Sequence, residues 1–341
     1  MSAFLRNRSI SKVNCSNLGN IGGQIVPYNS HPVITEPQRG RLLHSLSGFD
    51  TLVSDFKLPS CDALTRFLAG YFSGFYSHAP FAHAPTFKVE GCSPELLLSM
   101  VSIGAVYRYE SHTATRLFYI AKTLFLEGQR QKERNAIKRL GNQNGGNHMA
   151  RRDIIQEIHC LLCLVTFATW QKDPDLKNES IMLQSLLAHS TRMSGLEDVS
   201  LDANSLDWET WAQEESERRT KLFVFCFLNI QSFAYDLPPV LLSDEMRLKL
   251  PCSCPEWTAP DATTWALLRQ NTPNEQDRFD TALETLLSPE PRDHHDRPNL
   301  LSPGANYVLL HGLLQKIAWS NRMLPISVNS NSSGDYKTIF E

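Results

Sequence analysis

The sequence predicts an all-α protein, an irregular multi-helix bundle with a disordered N-terminal leader. Three observations predict it. Long segments repeat apolar residues at steps of three and four, the spacing of one helical face. No segment alternates apolar and polar residues with the period of two that a half-buried strand needs. The stretch from Asp207 to Tyr235 opens as a charged amphipathic helix and closes apolar on nearly every side, which means burial.

Residues 1–58 are rich in Ser, Asn, Gly and Pro with little periodicity, and read as a flexible leader. Gly19, Gly22 and Gly23 lack the preceding strand and following helix that a phosphate cradle requires. From Pro59 the pattern turns helical. Ser60 or Asp62 caps a segment carrying Leu64, Phe67, Leu68, Tyr71, Phe72 and Phe75. The segment 80–87 reads as an extended crossing, because its prolines forbid a helix. Ser93-Pro94-Glu95 starts the next helix, which continues through Leu96, Leu97, Met100, Val101, Ala105 and Tyr107. A helix over 111–140 follows, with Leu117, Ile120, Ala121, Leu124 and Phe125 on one face, and then a glycine- and asparagine-rich loop.

Helices are expected over 152–170 and 178–193, the second stopped by Gly195. The tryptophan-rich helix ends at Pro238-Pro239. Residues 251–260 read as irregular, 263–270 and 276–287 as short helices, and 289–303 as a proline-rich loop. A last helix over 306–323 puts Tyr307, Leu310, Leu313, Leu314, Ile317 and Ala318 on one side. The expected organisation is a leader over 1–58, a helical domain over 59–325 and a polar tail over 326–341.

Bulk properties narrow the function. With 341 residues, 42% of them hydrophobic, the chain can build a real core. A net charge of −3 offers no global attraction to nucleic acid or to an anionic membrane. Eight cysteines are scattered, several inside apolar runs, as in a protein with reduced, buried thiols. Met1–Lys12 lacks the apolar segment of a signal peptide. The longest apolar stretches, 158–170 and 222–234, fall short of the roughly 20 residues that cross a bilayer.

Within the long helix, Trp208, Trp211, Glu215, Arg218, Leu222 and Phe225 share a face, and Glu214–Arg218 and Glu215–Arg219 are acid-to-base pairs four apart. Tryptophans three apart, then glutamates, paired arginines and an apolar run resemble the middle region of fungal-specific transcription factors. Pro80-Phe81-Ala82-His83-Ala84-Pro85-Thr86-Phe87 is similar to the opening of that domain. Leu96–Tyr107, with Ser102-Ile103-Gly104-Ala105, resembles its first core helix, and Asp153–Pro174, with Phe167-Ala168-Thr169-Trp170, its second. Ser190 to Leu196 matches an Arg-x-x-Gly-Leu element. Leu250-Pro251-Cys252, then Pro255-Glu256-Trp257 and Trp265, resemble the version found in members with two-cysteine, two-histidine fingers. The resemblance runs over roughly 60–320, and members usually continue through further helices, so it implies a chain shortened at both ends.

That family pairs the domain with a zinc-dependent DNA reader, whose site needs four Cys or His ligands. Before residue 60 there are only Cys15, His31 and His44, so the resemblance implies a chain without its finger. No metal site is expected elsewhere. Cys160 and Cys163 have the spacing of a zinc pair but lie mid-helix in an apolar run, where core packing is favoured. Cys252 and Cys254 sit in a proline-flanked loop, where a structural role is favoured. His83, between Phe81 and Phe87, reads as a packing histidine, and His294-His295 as part of a solvated loop.

Between Arg130 and Arg152 there are seven bases against one acid, a candidate nucleic-acid or partner patch. A solvated helix face is favoured, and no aromatic side chain is interleaved to stack on bases. Glu197–Glu217 holds eight acids and no base. No Gly-x-Ser-x-Gly, His-Glu-x-x-His or phosphate loop is present, and no catalytic residue or cofactor is expected.

The resemblance implies a nuclear transcription regulator that acts through a helical regulatory domain on a metabolic gene set. Its expected partners are other transcription regulators or a homologous subunit, with a small-molecule effector allowed and direct DNA contact disfavoured. Phe72, Phe75, Phe81, Trp170, Trp211 and Phe225 are candidates to line an apolar cavity, though core packing suits each better. The alternative is a helical small-molecule-binding protein or enzyme of a metabolic pathway, which would need a cleft with convergent acids and histidines.

Overall fold

The computed structural model describes residues 32–47, 56–140, 151–198, 207–270, 276–288 and 301–323. Within them the order is α1 (Glu36–Leu46), α2 (Cys61–Gly70), α3 (Pro94–Tyr107), α4 (Ser111–Leu140), α5 (Arg151–Thr169), α6 (Pro174–Met193), α7 (Trp208–Tyr235), α8 (Cys254–Trp257), α9 (Ala262–Gln270), α10 (Phe279–Leu287) and α11 (Pro303–Met323). Among the described residues the only ladder bonding is two isolated bridges, Glu197 with Arg247 and Lys249 with Arg278. The all-α expectation holds, and no described helix is long and apolar enough to cross a membrane.

Helix α3 is the axis of the body. Every residue from Leu96 to Val106 is buried, and α2, α4 and α5 pack around it. A helix apolar on all sides must be covered on all sides. Ser93 caps it by accepting from the Leu96 N–H, with Pro94 at the first turn. Ser99 and Ser102 close their hydroxyls on carbonyls three residues back, so neither is unpaired in the core. Two glycines set the α2–α3 crossing. A methyl on Gly104 would lie 1.8 Å from the Phe67 carbonyl oxygen, and one on Gly70 would lie 2.6 Å from that of Gly104. The backbones therefore touch, as no pair of larger residues would permit.

Helix α4 buries Leu117, Ile120, Ala121 and Phe125 as its spacing predicts, and Phe118 stacks on Phe167 of α5 at 4.9 Å. Ser60, not Asp62, caps α2 by accepting from the Ala63 N–H. A π-helical turn, Tyr71–Phe75, continues α2, and its extra residue points both Tyr71 and Phe75 inward. Asp173 caps α6, so the Asp173-Pro174 pair begins that helix four residues before the predicted start. Helix α7 ends on Asp236 in the left-handed region (φ 51°), ahead of Pro238.

Two segments differ from the sequence reading. The stretch assigned to the leader contains α1, docked on the body through Ile34, Leu42 and Leu46. Its periodicity is too short to stand out, and its anchors are tertiary: Arg39 donates to the Pro59 and Leu58 carbonyls, and Gln38 to Glu90. The segment 251–260, read as irregular, contains α8, capped by Ser253. Gly19–Gly23, His31, Cys15, His294-His295 and residues 326–341 lie outside the described residues.

Candidate functional site

Helix α7 carries two interiors. Its first half is charged, and the charge is inside. Glu215, Glu217, Arg219 and Lys221 are all buried. The Arg219 Nε donates to Glu215 Oε1 at 2.8 Å, and its Nη2 reaches the Cys252 carbonyl at 3.0 Å. The Cys252 N–H returns a bond to Glu215 at 2.9 Å. Arg218 joins Glu215 to Asp198. Burial pushes the Glu215 carboxyl up, but Arg218, Arg219 and the Cys252 amide outweigh it and hold it below the usual carboxylate range. Lys221 bonds Glu217 at 2.7 Å and the Ser194 carbonyl at 3.0 Å, and Arg151 closes on Glu217 from α5. Of the predicted i,i+4 pairs, Glu215–Arg219 forms, while Arg218 turns to Glu215 and Asp198 rather than to Glu214.

An aromatic cluster abuts this seam. The Arg219 guanidinium lies 4.2 Å from the Trp257 ring centre, and the Trp257 Nε1 donates to the Tyr76 hydroxyl. His83 packs among Trp208, Trp211 and Trp257 as a buried ring, its Nδ1 at 2.9 Å from the Thr86 hydroxyl. Burial lowers its pKa to about 4, so it is neutral.

The second half of α7 faces a cavity of about 100 Å³. Its walls follow helical spacing: Phe223, Cys226, Phe227 and Ile230 from α7; Leu162, Thr166 and Phe167 from α5; Ile103, Val106 and Tyr107 from α3. Phe75 of the π-helical turn, His78, Ala79, Trp170, Gln171 and Tyr307 of α11 complete the lining. No Lys, Arg, Asp or Glu is among them. Of the six aromatics proposed for such a cavity, Phe75 and Trp170 line it. The others pack elsewhere: Phe72 on Phe87, Phe81 on His159, Trp211 on Trp265 and Phe225 on Phe279. Sequence reasoning missed Thr166, Phe227, Ile230 and Tyr307. Thr166 is the one hydroxyl in the run Leu161–Ala168, the signal that could have marked it.

The other flagged residues lie outside the cavity lining. Cys160 and Cys163 are buried, and burial pushes the Cys163 thiol up to about 12. Cys252 belongs to the seam, and the Cys254 carbonyl accepts from Thr258 inside α8. Among the described residues no three His, Cys, Asp or Glu gather to hold a metal. Five of the seven bases meet partners in the body: Arg130 and Arg134 pair with Glu127, Lys132 with Glu157, Arg151 with Glu217, and Arg152 reaches the Gly91 carbonyl. Several acids of the run 197–217 have partners as well. Glu197 meets Arg247, Glu209 meets Lys88, and Asp207 caps α7.

Comparison with known proteins agrees with this body. The family described as "Fungal specific transcription factor domain" matches residues 68–330. A "Nicotinate catabolism cluster-specific transcription factor" of Emericella nidulans is 24% identical over 273 residues, which is 76% of this chain. The chain spans 29% of that relative's length. No solved structure matches.

Proposed function

Because the chain belongs to the family of fungal specific transcription factor domains, we propose that it is the regulatory body of a nuclear transcription regulator and that its cavity receives a small-molecule effector. The observation that carries the effector reading is the uncharged cavity among α3, α5, α7 and α11. We take 59–325 as the domain, with α1 as an added clasp. The relative's name ties that protein to a nicotinate catabolism cluster, which favours a metabolic gene set here as well. We assign no catalytic role, in keeping with the transcription factor family. DNA reading is assigned to another module or to a partner, because most of the basic cluster is turned to acids and a carbonyl of the body itself. Salt-sensitive, nanomolar binding in a gel shift of the purified chain would contradict that assignment.

The test is a reporter assay. The chain is joined to an unrelated DNA-reading module, and output is followed as the metabolite supply changes. Output that responds to one compound supports the reading; output equal to the reader alone, under every supply, ends it.

A homologous subunit is the partner the surface of α11 fits. On the side away from the core, Leu310, Leu314 and Ile317 are exposed at steps of four and three. The charges beside them are held within the protomer, Lys316 by Asp244 and Arg322 by Asp236, so two such faces meet without opposed like charges. Sedimentation of the chain is expected to show a dimer that Ile317→Glu dissociates.

A further inference from the structure

The lining of the cavity specifies what it takes. Its volume, about 100 Å³, is below that of the engineered apolar cavities of roughly 150 Å³ that hold a benzene ring. A single ring therefore enters only as the walls yield slightly, and a larger molecule is disfavoured. Phe75, Phe167, Phe223 and Phe227 offer faces and edges suited to a flat ring. No ionised side chain faces it, and the basic side chain in the wall, His78, is pushed toward neutrality by burial. A carboxylate or ammonium group entering there would lose its water and gain no counter-charge. The nicotinate in the relative's name carries such a carboxylate.

One polar atom in the wall is left over. The Thr166 hydroxyl is buried and has no hydrogen-bond partner, and its residue is only 8% exposed. Other threonines in these helices close back on the carbonyl four residues earlier: Thr169 on Val165, Thr191 on Leu187, Thr220 on Ser216. Thr166 does not, so the hydroxyl is available to a guest.

Resting on the effector reading above, we propose that the cavity binds a neutral, single-ring apolar molecule with one hydroxyl or carbonyl group, and that the Thr166 hydroxyl is the hydrogen-bonding contact that selects it. The experiment titrates the intact chain with toluene, benzyl alcohol and benzoate, followed by tryptophan fluorescence, to which Trp170 in the wall contributes, and by calorimetry. Benzyl alcohol is expected to bind about tenfold tighter than toluene, the worth of one hydrogen bond, and benzoate not to bind. Thr166→Val is expected to remove the advantage of the alcohol while leaving toluene unchanged, and Thr166→Ser to keep it. Benzoate binding as tightly as the alcohol, or an advantage that survives Thr166→Val, overturns the ligand class and the role of Thr166 while leaving the cavity as a site. Failure of both toluene and benzyl alcohol to bind at millimolar concentration overturns the effector reading itself. The three ligands on the unaltered chain decide the class even if a variant does not fold.

Discussion

The two halves of α7 bury polar groups in opposite ways. Around Glu215 and Arg219 each charged group has partners on more than one element, and the seam is closed. Around Thr166, opposite the second half, the wall is apolar and one hydroxyl is left unpaired. A saturated polar interior fixes geometry and leaves nothing for a guest; an unsaturated one is less stable and can recognise something. The difference teaches where to seek function: at the interior whose polar group is left unanswered.

The largest effect expected is at the seam. Arg219→Met leaves Glu215 buried with one partner fewer, and should cost about 3–5 kcal/mol in a denaturant melt. A loss below about 1 kcal/mol would mean that water reaches the seam. Acid comes next. His83 and His311 are buried, and burial lowers the pKa of each from 6.5 to about 4. The unfolded chain therefore binds more protons than the folded one between these values. Stability from these rings is fully present above pH 6.5 and is lost as pH falls toward 4, by up to ~1.4 kcal/mol per unit for each ring. A melting temperature that is flat from pH 7 to 5 would contradict it.

A smaller effect of opposite sign is expected at the cavity. Thr166→Val, with no ligand present, removes an unpaired hydroxyl and should stabilise the chain by about 1 kcal/mol. The same kind of change, polar to apolar inside, thus loses stability at one end of the comparison and gains it at the other. Equal signs at both sites would dissolve the contrast. The smallest effect is at the surface. Lys88 and Glu209 are exposed partners, and Lys88→Ala should change stability by less than about 0.5 kcal/mol.

The helices were legible where periodicity is long. Leu117 to Phe125 and Leu96 to Tyr107 carry their own evidence, and Ser60, Ser93 and Gly195 mark ends that the structure keeps. Helix α1 was not legible, because its reasons lie in Arg39 reaching Pro59 and Ile34 reaching Thr65. The charge seam was half legible. The Glu215–Arg219 spacing is local, but Asp198 and Cys252 arrive from 20 and 37 positions away and take the pair out of solvent. The cavity was the least legible. Phe75 and Phe72 look alike in sequence, and only the π-helical turn and the approach of α7 decide which one faces the space.

A rod of 28 residues is about 42 Å long. Held at one end by ion pairs and by Trp211, α7 cannot rotate there without breaking contacts that water does not replace. At the other end it presents Phe227 and Ile230 to empty space. A molecule that wedges against those two side chains must either tilt the whole rod about its clamped end or push α3 and α11 outward. Both outcomes convert a change of a few ångströms in a cavity into a change in the outline of the protein.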